Sequence, residues 1–234
     1  MGAAPPKALT RSRVNVTNAL ILINVLAFAW ELASGIDFNS TDSLLAHGAL
    51  TGNAVLKYGQ WWRVITSGFL HGGYAHIGLN MFALYQLGTF VENLLGGRRM
   101  FTIYAISLLG GGIAVVYFSA ADLPTIGASG AIFGLFGALL AIGIRLGERG
   151  RSLIAQVVPI LILNLVFTFA VPFISKAGHI GGLVSGFLAT LPLVMLRPRR
   201  PAPVVVDTGS GQEAEAEYLM PGEEPGQGTT SALP

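Results

Sequence analysis

The chain has 234 residues, 52% hydrophobic and 11% charged, with a mean hydropathy of +0.63 and a formal net charge of +2. A soluble domain carries about 25% charged residues, so the composition excludes an ordinary soluble enzyme and points to a polytopic all-α membrane protein. The charge is too small to indicate nucleic-acid binding, and the absence of cysteine excludes disulfides, a thiolate nucleophile and thiolate metal ligation.

Residues 1–13 form a basic N-terminal segment. The apolar run that follows, about 14–34, is long enough to span a bilayer, and no small-x-small cleavage site precedes Ser34, so it reads as a first transmembrane helix rather than a signal peptide. Gly35 to Ala75 is too polar to span but holds Trp61, Trp62 and Phe69, which predicts a long loop resting in the membrane interface. Five further apolar runs follow, near 76–95, 100–119, 128–146, 152–171 and 177–196. The pattern predicts a six-helix domain over 14–196. Beyond it, residues 197–234 contain Pro, Gly and six of the twelve acidic residues, and read as a disordered tail.

Lysines and arginines set the expected topology. With the N-terminus in the cytoplasm, eleven fall inside: Lys7, Arg11, Arg13, Arg98, Arg99, Arg145, Arg149, Arg151, Arg197, Arg199 and Arg200. Only Lys57, Arg63 and Lys176 fall outside. This positive-inside bias implies an even number of spans and two cytoplasmic termini.

That orientation gathers several polar groups at one depth. Ser129, in Gly127-Ala128-Ser129-Gly130, opens the fourth span at its outer end. His179, in Gly178-His179-Ile180-Gly181-Gly182, lies near the outer end of the sixth, and His76 and Asn80 open the second. Ionisable groups at membrane depth are functional candidates. Gly130, Gly134 and Gly137 form one small-residue seam, and Gly178, Gly182 and Gly186 form another. Such seams let two helices approach closely enough for a serine to reach a histidine. Phe133, one turn below Ser129, is placed to pack under that imidazole. His76 and Asn80 share a helical face and can donate to an oxyanion, as can the Ser129 amide at a helix start. No acid lies at the depth of His179, so the pattern reads as a Ser-His dyad.

Plainer readings stand beside this one. Gly-x-Ser-x-Gly in an apolar helix is also a common packing seam, and a lone His179 can be a satisfied buried polar group. His71, His76 and His179 are metal-ligand types, but no carboxylate or cysteine completes a set. Glu92, close in sequence to Arg98 and Arg99, reads as a charge pair at the cytoplasmic boundary, and His47 has no assigned role. A transporter would also place polar groups in a bundle, yet the six runs show no internal repeat.

Together these residues resemble the rhomboid intramembrane serine proteases. Gly127-Ala128-Ser129-Gly130 resembles the family's GxSG nucleophile motif, and His179 with Gly182 its catalytic histidine. His71, His76 and Asn80 resemble its HxxxxHxxxN pattern, and Trp62-Arg63 the Trp-Arg pair of its first loop. The resemblance covers about 14–196. It implies a six-helix bundle with a water-filled cavity open to the outside, in which Ser129 and His179 are catalytic. His76, Asn80 and Gly127 then line the oxyanion and substrate site, with Phe133, His71, Trp62 and Arg63 in support. It implies no metal or organic cofactor, transmembrane-protein substrates cut near the outer boundary, and a bacterial plasma membrane. A non-catalytic relative that binds or escorts membrane proteins is the alternative, disfavoured by the intact serine and histidine. Nothing in the sequence specifies an oligomeric state.

Overall fold

The computed structural model describes residues 15–195; the segment 1–13 and the tail 197–234 lie outside them. Six helices of 18 to 22 residues dominate: α1 (Val16–Ser34), α5 (Tyr74–Leu95), α6 (Gly97–Phe118), α7 (Ser129–Leu146), α8 (Arg151–Ala170) and α9 (Lys176–Met195). Three short helices, α2 (Thr41–Ala46), α3 (Gly52–Leu56) and α4 (Arg63–Thr66), fill the long first loop.

Among the described residues, four apolar stretches are long enough to cross a membrane: Val16–Ser34, Gly97–Phe118, Ser129–Ala170 and Lys176–Val194. The third contains both α7 and α8, which reverse direction through the 3-10 turn Gly147–Gly150. α5 falls outside these stretches because His76, Asn80, Gln86, Glu92 and Asn93 lower its hydropathy.

α7 is the central element. Its residues Ala131 to Leu139 are buried without interruption, as expected of a helix that is apolar all round. It packs chiefly against α9 and α6. Glycines set that spacing. A methyl group on Gly182 would strike the Gly130 carbonyl, and one on Gly186 the Gly134 carbonyl. Gly111 of α6 enters the same junction, where an added Cβ would lie 2.8 Å from the Gly178 carbonyl. The junction therefore joins three helices, whereas the sequence pattern named only two of them. The outer surfaces are apolar instead: Leu22 and Leu26 on α1, Phe82 on α5, and Phe167 and Phe169 on α8 are exposed, as in a bundle surrounded by hydrocarbon.

Glu92 does not pair with Arg98 or Arg99. Its carboxylate accepts from the amides of Val16 and Thr17, both at 2.9 Å, and from Thr17 Oγ1 at 2.7 Å. A carboxylate at a helix N-terminus satisfies donors that have no intrahelical partner and complements the helix dipole. Tertiary packing of α5 on α1 outweighs the short sequence separation from the arginines.

The first loop is folded rather than loose. Leu50, Val55 and Val64 form a small cluster with Val115 and Val116 of α6. Arg63, nearly buried, donates from Nη1 to the carbonyls of Leu45 and Ala49 at 2.7 and 2.8 Å, and from Nε to Gln60 at 2.6 Å. Its guanidinium also lies 4.6 Å from the Trp62 ring centre, a cation–π contact. Trp61 and Trp62 remain half exposed.

Candidate active site

The site assembles where α5, α7 and α9 begin, at the end of the bundle opposite the α5–α6 and α7–α8 turns that carry Arg98, Arg99, Arg149 and Arg151. The approach to α7 is tied to the first loop. Leu50 and Thr125 exchange backbone hydrogen bonds at 3.0 and 2.8 Å, and the Gly127 amide donates to the Ser67 carbonyl at 2.8 Å. Gly127 has φ +117°, a conformation glycine adopts without strain. A side chain there would also collide with His76, whose Nε2 would lie 2.7 Å from the added Cβ. Two constraints thus call for glycine two residues before Ser129.

Ser129 is the first residue of α7, so its amide has no carbonyl one turn earlier to bond. Its Oγ lies 2.8 Å from His179 Nε2 on α9. Phe133 lies flat against the His179 ring, with centroids 4.0 Å apart and planes 17° apart. The opposite ring nitrogen, Nδ1, lies 2.8 Å from Thr168 Oγ1 on α8. Ser175 accepts from the Gly178 amide at 3.1 Å, starting α9 just ahead of His179.

His76 is oriented by the Gly72 amide, which donates to its Nδ1 at 3.1 Å. An Nδ1 that accepts leaves the proton on Nε2, the nitrogen facing Gly127. Asn80 is buried, and its amide nitrogen donates to the His76 carbonyl at 2.9 Å, which occupies one of two amide hydrogens. His71 is fully buried. Its ring stacks edge-on against His76 with centroids 5.2 Å apart, and its Nδ1 donates to the Phe69 carbonyl at 3.2 Å. Burial pushes its pKa down to about 4. The His71 amide donates to the buried carboxylate of Glu31, at 3.1 and 3.2 Å to the two oxygens. A small cavity of about 30 Å³ opens beside Ser129 and His179, lined also by Ser67, Thr125 and Ser175. It has room for a water molecule.

The structure therefore brings Ser129, His179 and Phe133 into direct contact and sets His76 beside Gly127. Asn80 follows His76 by one turn of α5 and is bonded to its carbonyl, His71 stands one step back, and Trp62 and Arg63 act on the loop rather than at the site. Two residues escaped the sequence analysis. Thr168 is a lone hydroxyl in the apolar run 152–171, and Glu31 is an acid near the end of the first apolar run; neither belongs to a recognisable local pattern.

A family model described as the Rhomboid domain matches residues 58–196, more than half of the chain. The chain belongs to the rhomboid family. This makes it an integral membrane protein of a family that includes proteases. It is 40% identical over 178 residues to Rhomboid protease GluP of Bacillus subtilis, covering 76% of this chain but only 34% of that protein. To the putative rhomboid protease YdcA of the same organism it is 32% identical over 149 residues, 63% of this chain and 75% of the relative. Inactive RHOMBOID-like protein 8 of Arabidopsis thaliana is also similar, 33% identical over 147 residues, 61% of this chain and 41% of the relative. Rhomboid membership alone therefore leaves activity to the residues of the site.

Proposed function

We propose that this rhomboid is an intramembrane serine endopeptidase working through a Ser129–His179 dyad. The observation that carries the reading is the 2.8 Å approach of Ser129 Oγ to His179 Nε2 between two helices held together by glycines. The serine-histidine separation matches that of an activated nucleophile and its base. As Ser129 Oγ attacks a substrate carbonyl carbon, its proton passes to His179 Nε2. The tetrahedral oxyanion takes hydrogen bonds from the Ser129 amide, from His76 Nε2–H and from the remaining Asn80 amide hydrogen. The C–N bond then breaks, and the leaving amine takes the proton from His179. Water loses a proton to the same nitrogen, attacks the acyl carbon, and releases the second product with Ser129 restored.

All six long helices cross the bilayer in this reading, with both termini cytoplasmic and the site near the outer face of a bacterial plasma membrane. Substrates are transmembrane segments of other proteins. A helical substrate must unwind locally first, since its carbonyls are bonded internally, so helix-weakening residues near the outer boundary favour cleavage. Similarity to an inactive relative supports one alternative, a rhomboid that binds membrane proteins without cutting them.

Reconstitution of the full chain in vesicles with a model transmembrane substrate separates the two. The wild type is expected to cleave and to be labelled by a fluorophosphonate, and Ser129→Ala and His179→Ala to do neither. Cleavage that survives either substitution would overturn the dyad; a wild type inert in both assays would favour the binding role.

A further inference from the structure

Stacking on Phe133 fixes the plane of the His179 ring but leaves it free to rotate within that plane. Two hydrogen bonds at opposite edges remove this freedom, Nε2 to Ser129 and Nδ1 to Thr168, each at 2.8 Å. Thr168 is the inward-facing residue of the last turn of α8: its neighbours Phe167 and Phe169 are well exposed, whereas Thr168 is 1% exposed. Its Oγ1 also lies 2.7 Å from the Asn164 carbonyl one turn earlier. A carbonyl oxygen only accepts, so the single hydroxyl proton is committed to Asn164. Toward His179 the hydroxyl then offers a lone pair, and Nδ1 must carry the hydrogen. A neutral imidazole protonated on Nδ1 has its lone pair on Nε2, facing the Ser129 hydroxyl.

We propose that Thr168 is the positioning residue for His179, holding the imidazole in the orientation and tautomer that accept the Ser129 proton. The inference rests on the dyad reading given above. The relay runs from Ser129 O–H to His179 Nε2, and from His179 Nδ1–H through Thr168 to the Asn164 carbonyl. It gives His179 a fixed acceptor on the side where a buried aspartate sits in soluble triads, using a neutral group. A neutral hydroxyl carries no charge into the bundle, where an unpaired carboxylate would be costly. The same lone pair accepts from the imidazolium formed during attack, so Thr168 serves both protonation states.

The test uses the full chain in vesicles, with fluorophosphonate labelling of Ser129 and steady-state cleavage of a model transmembrane substrate. Thr168→Val keeps the branched shape and removes the hydroxyl; Thr168→Ser keeps the hydroxyl. Thr168→Val is expected to lower kcat and the labelling rate about 5- to 100-fold, the range for a buried donor left without its acceptor. KM should stay near wild type, the rates being compared per folded molecule because the orphaned donor also lowers the thermal midpoint, and Thr168→Ser should restore most of the rate. Thr168→Ala, without the branched methyl, should be slow like the valine variant, which separates loss of the hydroxyl from altered packing. A valine variant as fast as wild type, or a serine variant no faster than valine at equal folded fraction, overturns the positioning role while leaving the dyad intact. A wild type that neither labels nor cleaves overturns the dyad reading, and this role with it.

Discussion

Gly182 of α9 packs directly onto the Gly130 carbonyl of α7, leaving no room for a methyl group. Ser129 precedes Gly130 and His179 lies one turn before Gly182, so this backbone contact sets the distance between hydroxyl and imidazole. Gly182→Ala should push the helices apart, costing about 1 to 3 kcal/mol as overpacking does, and should sharply reduce fluorophosphonate labelling of Ser129. Gly78, on α5, has open space around its missing side chain. Gly78→Ala should instead raise stability by up to about 1 kcal/mol through helix propensity. Thermal unfolding in detergent measures both, and equal behaviour of the two variants would remove the contact from the account of the site.

Phe133 lies against His179 over nearly a full ring face. Phe133→Leu keeps the apolar volume and loses the flat surface. Such a stack contributes about 0.5 to 1.5 kcal/mol beyond area burial. Labelling of Ser129 should therefore slow by about 2- to 12-fold, a stacking contribution of that size expressed as a rate. Phe133→Tyr should retain the rate. A leucine variant labelled as fast as wild type would show that the ring is held without the stack.

Much of the architecture is legible in the sequence, because the apolar runs are long and hydrophobicity is a direct signal for helices in membranes. The six runs lie within a few residues of α1 and α5–α9, and the glycine spacing anticipates the α7–α9 seam. What escaped depends on tertiary contact. Sequence proximity points Glu92 to Arg98 and Arg99, but its partners are on α1, 75 and 76 positions away. Thr168 gives no signal because one hydroxyl in an apolar run normally satisfies itself on its own helix; only the packing of α8 on α9 shows its second partner. Gly111 and the short helices of the first loop escaped similarly. Gly111 is fixed by its close approach to Gly178 of α9, and α3 and α4 by their packing on α6, and no periodicity within the segments reveals those contacts.

The Glu92 carboxylate satisfies three donors at the start of α1. Glu92→Leu orphans them and should destabilise the bundle by about 1 to 3 kcal/mol, the cost of buried donors left unmade. Glu92→Gln, which keeps one carbonyl oxygen, should fall between. Because the cap lies at the end of the bundle away from Ser129, labelling per folded molecule should not change. Thermal unfolding followed alongside labelling checks both parts; a leucine variant as stable as wild type would show that water replaces the carboxylate.

His71 offers a test in pH. Burial, reinforced by nearby His76 and opposed by the Phe69 carbonyl, holds its pKa near 4 in the folded protein, below the ordinary 6.5. The folded form therefore keeps His71 neutral where the unfolded chain already binds a proton. Stability is unaffected by this group above pH 6.5 and falls as pH drops from 6.5 toward 4, because there the unfolded state binds more protons. Between pH 7 and pH 5 the loss should reach about 2 kcal/mol. His71→Gln cannot titrate, so its thermal midpoint in detergent should fall less over that interval than that of the wild type, whatever its stability at pH 7. Parallel pH curves for the two proteins would mean that His71 is protonated as readily in the folded bundle as in the unfolded chain, and that its burial against His76 exerts no control on the acid limit of this fold.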